Sequence, residues 1–374
     1  MNIILIFTYG ISLKNWKETG LLSREIALYK ELNKKYGFKF TFFTYGDSED
    51  VDIVKELDFI NVIAANTYIS LSNFKIISYL KTLYLPFKIK KELNNIDLIK
   101  TNQLSGCWVG IILKFLLKKP LIIRTGYDIL QFKILEKKPI YILIFYYLLT
   151  QAGLIFSDIF TVTTKVDKIN LEKKFYNKDN IVVHQNYVIG NFSQTFEQRH
   201  DSRILSVGRL EKQKNYLEII KNLANTNLQL DIVGEGSQKQ EILLKAREDN
   251  VKIEVFGSLP NDKLIEKYSK YKIFITGSRF EGNPKAVLEA MSSGCVVISF
   301  ENENVKEVIK NNENGILFSN FNEINSLLKN NLNNKEKFEK ISSNAIKTIK
   351  KDYSLHSACE REFKIYNLIK ITKI

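Results

Sequence analysis

The chain has 374 residues, and at about 150 residues per domain this length predicts two domains. Hydrophobic residues make up 45% of the chain and charged residues 26%, which argues against disorder over most of its length. The net charge of +14 indicates an anionic partner, such as a nucleic acid, an anionic membrane or a phosphorylated ligand. The three cysteines are far apart without a CxxC spacing, so no disulfide framework or zinc cluster is indicated and a reducing cytoplasm is expected.

The first half of the chain alternates strands and helices. Residues 2–8 predict a buried strand, so no signal peptide is expected; a glycine-containing loop (10–20), a helix (20–37) and a second strand (38–47) follow. This order predicts a right-handed crossover between parallel strands. Further predicted elements are strands at 97–101, 120–126, 157–165 and 180–188 and a helix at about 104–118.

One apolar run has three interpretations. Residues 139–157 carry no formal charge over 19 positions, which is close to the minimum for a membrane span. Thr150, Gln151 and Gly153 interrupt this run. We therefore predict a core helix followed by a buried strand, with an interfacial helix and a membrane span as the alternatives.

The second half repeats the pattern after a polar stretch at 190–202. We place the boundary there, which gives domains at 1–195 and 196–352 and a final helical segment at 353–374. Strands are predicted at 203–208, 228–236, 251–257, 272–278, 295–300 and 315–318, and helices at 215–225, 237–250, 261–271 and 284–294. Two such series predict an α/β fold of two doubly wound domains, with ligands beyond the carboxyl ends of the strands and in the cleft between the halves.

The segment SRFEGNPKAVLEAMSSG, residues 278–294, is the strongest local motif. Asn283 suits an N-cap, Pro284 the first helical position and Gly294 the C′ position. The free N–H groups at the start of this helix favour a phosphate or a sugar oxygen. On an otherwise apolar helix Glu289 needs a specific partner, such as a ribose diol. The alternative is that Glu281 and Glu289 only form ion pairs with Lys285. Each such pair stabilises a helix by about 0.3 kcal/mol.

Two weaker motifs precede it. In SVGRLEKQKN, residues 206–215, Arg209 and Lys214 follow a strand, where two cations can offset a diphosphate. The segment VGEG, residues 233–236, is a strand-to-helix turn that contains Glu235. Either motif by itself also fits a solvated loop.

The order of these segments carries a family resemblance. GRLEKQKN, VGEG, FGSL and FEGNPKAVLEAMSSGCVVIS follow one another as in the large retaining glycosyltransferase family 4, the group 1 glycosyl transferases. Glu281 and Glu289, with seven residues between them, match the family's pattern of two glutamates. The resemblance is strong over about residues 203–318 and weaker in the first half, where residues 19–28 resemble the family's glycine loop and following helix.

This resemblance implies the GT-B fold, two Rossmann-like doubly wound domains facing across a cleft, with the last helical segment packing back on the first domain. It implies a nucleotide-diphosphate sugar as donor, retention of configuration, and neither a cofactor nor a divalent metal. The implied catalytic residues are Glu281 at the donor sugar and Arg209 and Lys214 at the diphosphate. The implied donor-binding residues are Glu289 at the ribose, Gly282, Asn283 and Pro284 at the sugar, Gly20 at the phosphates, Gly257 and Leu259 at the base, and Glu235.

The chain departs from the family at one position. Thr125 stands where many members carry a histidine, so the leaving diphosphate is the expected proton acceptor, stabilised by Arg209 and Lys214. Asp128 is a candidate base for the acceptor hydroxyl, and a helix cap or turn is its alternative role. Tyr9 and Thr125 are further acceptor-side candidates.

Positive charge is concentrated in the first half. Thirteen basic and four acidic residues lie between positions 75 and 138, a net charge of +9. Within residues 71–93 lysines alternate with aromatic and aliphatic residues, a pattern that predicts either a basic amphipathic helix on an anionic membrane or a core helix with a solvated face. We predict a membrane contact through residues 71–138.

The leading hypothesis is a cytoplasmic glycosyltransferase, peripheral on the inner face of the membrane, that builds a surface polysaccharide, lipopolysaccharide or other glycolipid. Its partners are then a nucleotide sugar and a saccharide or lipid-linked acceptor. The alternatives are a nucleotide-sugar epimerase or phosphorylase on a similar fold and a basic nucleic-acid-binding protein. The sequence has no RRM, KH or zinc-finger pattern, so no nucleic-acid partner is predicted.

Overall fold

The computed structural model of the protein describes residues 1–69, 75–176, 179–190, 196–282, 284–332 and 334–371. The chain divides into two compact units. Unit 1 comprises Met1–Gln185 and Cys359–Ile374, and unit 2 comprises Asn186–Ala358.

These boundaries differ from the predicted ones at 195/196 and 352/353. Val188 bridges to Ser354, and the Val188 N–H donates to the Tyr353 carbonyl oxygen at 2.9 Å. Because of this pairing, the residues just before the polar stretch already belong to unit 2. The chain returns to unit 1 at Cys359, inside its last helix.

Unit 1 is built on a seven-stranded parallel sheet. Its strands are β1 (Asn2–Ile6), β2 (Lys39–Thr44), β3 (Ile60–Ala64), β4 (Leu98–Thr101), β5 (Leu121–Arg124), β6 (Ile159–Val162) and β7 (Ile181–Val183). They lie in the order β3-β2-β1-β4-β5-β6-β7. Near-continuous apolar strands such as β1, buried on both faces, are typical of a parallel sheet covered by helices on each side.

The helices of unit 1 connect these strands. They are α1 (Leu13–Glu18), α2 (Leu22–Tyr36), α3 (Glu49–Ile53), α4 (Lys75–Ile89), α5 (Cys107–Leu117), α6 (Ile129–Leu135), α7 (Ile140–Phe156) and α8 (Lys165–Lys174), with 3₁₀ turns at Ala65–Thr67 and Lys90–Leu93. The predicted loop at 10–20 was wrong, since it contains α1. Ser12 and Asn15 cap this helix reciprocally, and Gly20 follows it with a φ of 70°.

The prediction for residues 139–157 was also wrong. A single helix, α7, covers Ile140–Phe156, and the next strand begins only at Ile159. Of its residues only Thr150, Gly153 and Leu154 are buried, so α7 is not a core helix. None of the helices in the described ranges combines the length and the apolar character that a membrane crossing requires.

Unit 2 contains a six-stranded parallel sheet in the order β10-β9-β8-β11-β12-β13. Its strands are β8 (His200–Val207), β9 (Gln229–Val233), β10 (Ile253–Val255), β11 (Tyr271–Thr276), β12 (Val296–Phe300) and β13 (Ile316–Phe318). Its helices are α9 (Tyr216–Leu223), α10 (Lys239–Glu248), α11 (Asn261–Tyr268), α12 (Lys285–Ser292), α13 (Glu303–Lys306), α14 (Glu323–Leu332) and α15 (Lys335–Asp352), with 3₁₀ turns at Phe196–Gln198 and Lys212–Lys214. The last helix, α16 (Leu355–Ile371), begins in unit 2 and ends in unit 1.

Both sheets reverse their strand order at one place. In unit 1 the first strand, β1, lies between β2 and β4, and in unit 2 the first strand, β8, lies between β9 and β11. The connections leave in opposite directions there, so a crevice opens beyond the carboxyl ends of β1 and β4 and of β8 and β11. The predicted α/β class with two doubly wound sheets is confirmed, and the switch point of unit 2 locates the site described next.

Candidate functional site

The loop after β8 brings Lys214 to the switch point of unit 2. The loop makes a 3₁₀ turn at Lys212–Lys214 and ends at Asn215, whose φ is 51°. The Lys214 side chain passes close over Gly208, where a Cβ would lie 3.0 Å from the Lys214 Cε. A side chain at position 208 would therefore displace the lysine.

Three consecutive residues of this loop hold the loop after β11. The Gln213 amide donates to the Phe280 carbonyl oxygen at 2.7 Å, and the Asn215 amide donates to the Gly277 carbonyl oxygen at 2.8 Å. Between them, the Lys214 ammonium forms an ion pair with the Glu281 carboxylate. Both side chains are mostly buried, with 16% and 17% of their surface exposed. Two residues predicted for catalysis are thus in direct contact.

A second set of hydrogen bonds fixes the same loop from the other side. The Asn302 amide donates to the Ser278 carbonyl oxygen at 3.0 Å, and the Asn304 amide donates to the Glu281 carbonyl oxygen. Asn302 also caps α13 by accepting from the Val305 N–H at 3.0 Å. These asparagines were not predicted as site residues, although the spacing of Asn302 before a short helix is an N-cap signal.

The two loops border a cavity of 220 Å³ at the carboxyl ends of β8, β11 and β12. It is lined by Lys214, Thr276, Ser278, Glu281, Pro284, Lys285, Ala286, Val287, Ser299 and Val305. Two ammonium groups, one carboxylate and three hydroxyls therefore meet the first turn of α12. This set suits a ligand with both a negative charge and several hydroxyls, since the helix N-terminus and the lysines attract anions.

Helix α12 begins one residue later than predicted. Its first helical residue is Lys285, and Pro284 takes the N-cap position with a non-helical ψ of 76°. Asn283, the predicted N-cap and sugar contact, lies outside the described residues. Gly282 is buried beside it, and Gly294 ends the helix with a φ of 77°, as expected of a C′ residue.

Glu289 lies one turn into α12 and is absent from the described lining of the cavity. It is 9% exposed, and its Oε2 accepts a hydrogen bond from the Tyr268 hydroxyl at 3.3 Å. Burial and then the Glu289 carboxylate raise the pKa of Tyr268 well above its usual value, so this hydroxyl remains a donor. Tyr268 was not predicted as a site residue, because a lone tyrosine at the end of a helix gives no functional signal.

The glycines of VGEG allow close packing of three strand ends. A Cβ on Gly234 would lie only 2.0 Å from the Gly208 carbonyl oxygen, and the Gly234 N–H donates to the Gly257 carbonyl oxygen at 2.8 Å. Gly257 has a φ of 68°, which favours glycine. Glu235, which follows Gly234 in the VGEG segment, has an exposed side chain.

Arg209 and Leu259 lie in the flanking loops of unit 2. Arg209 is exposed, and its guanidinium makes no hydrogen bond or ion pair with any residue that the structure describes. It does not line the cavity in the described part of the chain. Leu259 is half-buried and packs against the core of unit 2.

The acceptor-side candidates all belong to unit 1. Tyr9 follows β1 at the switch point and stacks on Tyr79, with 4.3 Å between ring centroids. The Thr125 hydroxyl donates to the Tyr127 carbonyl oxygen at 2.7 Å. Asp128 is the N-cap of α6, where its carboxylate accepts from the Gln131 N–H at 3.0 Å. This is the capping role given above as the alternative for Asp128.

A metal centre was not expected from the sequence. Within the described ranges, no group of three or more histidine, cysteine, aspartate or glutamate residues is arranged to hold a metal ion.

Comparison with known proteins finds a family match within unit 2. Residues 191–348 match the model of the family described as glycosyl transferases group 1. These residues belong to the group 1 glycosyl transferases. The predicted family is confirmed, and the matched glycosyl transferase domain contains Lys214, Glu281 and Glu289.

Curated relatives of the chain are glycosyltransferases. The amylovoran biosynthesis glycosyltransferase AmsD of Erwinia amylovora is 32% identical over 149 residues, which cover 37% of this chain and 42% of that protein. A 4-alpha-N-acetylgalactosaminyltransferase of Campylobacter jejuni, named for a diphospho-undecaprenol saccharide, is 36% identical over 121 residues, which cover 31% of this chain and 33% of that protein. The chain spans less than half of the length of these relatives.

Solved structures resemble the whole chain. A crystal structure of HepE from Anabaena in complex with UDP and glucose has a TM-score of 0.75 at 14% identity and covers 98% of this chain and 99% of its own. Sucrose-phosphate synthase from Thermosynechococcus elongatus has a TM-score of 0.76 at 15% identity, and both chains are covered completely, at 100%. The fold is therefore GT-B, as predicted.

Proposed function

We propose that this protein transfers a sugar from a nucleotide-diphosphate sugar to a hydroxyl of a saccharide or lipid-linked acceptor, in the synthesis of a surface polysaccharide or glycolipid. One observation carries the proposal. The Lys214–Glu281 ion pair lies beside the first turn of α12, in a cavity at the switch point of the glycosyl transferase domain. A charged pair of this kind, next to an anion-attracting helix end, suits a ligand that is part phosphate and part sugar.

Residues of the cavity and of its surroundings match the parts of the donor. Lys214, and Arg209 from the exposed loop, would offset the charge of the diphosphate. Glu281 and the N–H groups at the start of α12 would bind hydroxyls of the donor sugar, and Glu289 the ribose. Among the structural relatives HepE binds UDP and glucose, so UDP conjugates are the first donors to test.

The proposed reaction retains the anomeric configuration. As the bond from sugar to diphosphate breaks, negative charge develops on the leaving oxygen, and Lys214 and Arg209 would stabilise it without a divalent metal. The diphosphate would then take the proton of the acceptor hydroxyl. The capping hydrogen bond of Asp128 supports this route over an aspartate base, because a carboxylate that caps a helix is already engaged.

The acceptor is proposed to be lipid-linked, and the protein to work on the cytoplasmic face of a membrane. A relative from Campylobacter jejuni acts on a diphospho-undecaprenol saccharide. The net charge of +9 between residues 75 and 138 would attract unit 1 to anionic headgroups. Residues 71–74 of the predicted basic segment lie outside the described residues.

Calorimetric titration of the full chain with UDP, GDP and ADP, in the presence of EDTA, tests the donor site. We expect one nucleotide to bind without metal, Glu289→Gln to weaken it, and the exposed Glu248→Gln on α10 to leave it unchanged. Absence of binding by all three nucleotides, with and without magnesium, would overturn the donor assignment. Binding only with magnesium would overturn its metal independence.

A further inference from the structure

Helix α7 exposes an unusual amount of apolar surface. The helix has no charged side chain over Ile140–Phe156. One side packs on the core of unit 1, where Gly153 and Leu154 are buried. The other side leaves Ile140 70% exposed and Leu148 59% exposed, with Ile144 between them on the same face. An apolar helix of this kind is normally covered on all sides.

Neighbouring helices extend this apolar face. On α4, Leu80, Tyr84 and Phe87 are more than half exposed. The rings of Tyr79 on α4 and Phe145 on α7 lie 6.4 Å apart between centroids, which makes the two helices neighbours. We name the exposed side chains of Leu80, Tyr84, Phe87, Ile140, Ile144 and Leu148 the α4–α7 surface. Large exposed apolar side chains gathered on two neighbouring helices of a folded protein indicate a binding surface.

Lysines border the α4–α7 surface. Lys137 and Lys138 are exposed just before α7, and Lys88 is exposed at the end of α4, 5.9 Å from the ring centroid of Tyr84. An apolar helix face with lysines at its edge matches the boundary between acyl chains and anionic headgroups. A second copy of the chain fits less well, because a symmetric contact through this face would bring the same lysines together.

We propose that the α4–α7 surface inserts into the interfacial layer of an anionic lipid bilayer. This adds hydrophobic insertion through α7 to the electrostatic membrane contact proposed for residues 71–138. The link between this surface and a lipid-linked acceptor rests on the proposed function. Tyr79 joins the surface to Tyr9 at the switch point of unit 1. A lipid-linked saccharide held in the bilayer would thus reach the acceptor-side residues along α4.

Sedimentation with vesicles separates insertion from charge attraction. The full chain is mixed with phosphatidylcholine vesicles containing about 30% phosphatidylglycerol, at about 50 mM and 500 mM NaCl, since salt screens only the electrostatic part. We expect the wild type to remain largely bound at high salt. The neutral double variant Ile144→Ser with Leu148→Ser should bind at least about 10-fold more weakly at both salt concentrations.

The matched control is Val51→Ser with Leu244→Ser, two exposed aliphatic residues on α3 and α10 outside the α4–α7 surface. It should bind vesicles like the wild type, and both variants should show the circular dichroism and nucleotide binding of the wild type. As an independent readout, an environment-sensitive dye on Ile144→Cys should shift to the blue with vesicles, while the same dye on Leu244→Cys should not.

Two results would overturn the proposal. Complete release of the wild type at high salt, with the Ile144/Leu148 variant indistinguishable from it, would mean an electrostatic contact only. A dimer in light scattering that the Ile144/Leu148 variant dissociates would mean that a second copy covers the surface. Nucleotide titration keeps the proposals separate: vesicle insertion without nucleotide binding would contradict the donor site alone, and nucleotide binding without insertion would contradict the membrane surface alone.

Discussion

At the scale of single residues, the Lys214–Glu281 pair joins two loops that lie 67 positions apart in the chain. We predict that Lys214→Met weakens UDP binding by about 10- to 100-fold, because a charge-assisted hydrogen bond to phosphate is worth roughly 1.5–3 kcal/mol. Uridine, which has no phosphate, should lose much less affinity. The measurement is calorimetric titration of both ligands.

The control for this prediction is Lys212→Met. Lys212 lies in the same 3₁₀ turn but is exposed. An equal loss of UDP affinity in both variants would mean that Lys214 acts only through the general charge of the loop.

A second residue-scale prediction concerns the contact of Gly234 with Gly208. A Cβ at position 234 would lie 2.0 Å from a backbone oxygen, so Gly234→Ala should lower the free energy of unfolding of unit 2 by about 1–3 kcal/mol beyond the backbone strain itself. Gly10→Ala is the control, since Gly10 also has a positive φ of 77° but nothing within 4 Å of its Cβ position. Urea unfolding followed by circular dichroism would show an equal cost for both variants if the close contact were unimportant.

At the scale of elements, α16 is held in unit 1 by a buried ionic group. The Glu362 carboxylate forms an ion pair with the Lys100 ammonium of β4, and its Oε2 lies 2.9 Å from the His184 Nε2. All three side chains are at most 5% exposed. Glu362→Leu should therefore destabilise unit 1 by about 3–5 kcal/mol, because it leaves the lysine buried without its partner.

Urea unfolding of unit 1 measures this effect, and Glu360→Leu two residues earlier on α16 is the control. Glu360 pairs with Lys35 at the surface, where both side chains are about one third exposed, so its loss should change stability little. Equal effects of the two variants would contradict the role given to the buried group.

At the scale of the whole molecule, the three cysteines report on both units. Cys107 and Cys359 lie in unit 1 and Cys295 in unit 2, and all are buried. Burial raises the pKa of the Cys107 and Cys295 thiols to about 12 and that of Cys359 to about 11. Because the thiolate is the reactive form, a disulfide reagent at about pH 8 should label the native protein only through opening of each unit.

A saturating nucleotide should then slow the labelling of Cys295 and leave Cys107 and Cys359 unchanged, since the ligand stabilises only the unit that binds it. Mass spectrometry of the labelled peptides distinguishes the sites, and Glu289→Gln should reduce the effect at the same nucleotide concentration. Slowed labelling of all three cysteines would contradict a donor site confined to unit 2.

The sequence by itself determined the order of strands and helices and the motifs of unit 2. Apolar runs bounded by glycines are local signals, so strands such as β1 and β8 and the helix α12 could be predicted to within a few residues. Elements without such signals were missed, among them β3 and the short helix α1. The family resemblance rested on the same local segments, which is why it was strong over unit 2 and weak over unit 1.

Only the tertiary structure decided which of these segments meet. Strand order places the loops after β8 and β11 side by side, so Lys214 contacts Glu281 while Glu289 turns to Tyr268, a pairing that no spacing in the chain encodes. The same holds for α7. Its hydropathy predicts burial, but whether an apolar side chain is covered depends on the elements packed around it, and here one side of the helix has none among the described residues.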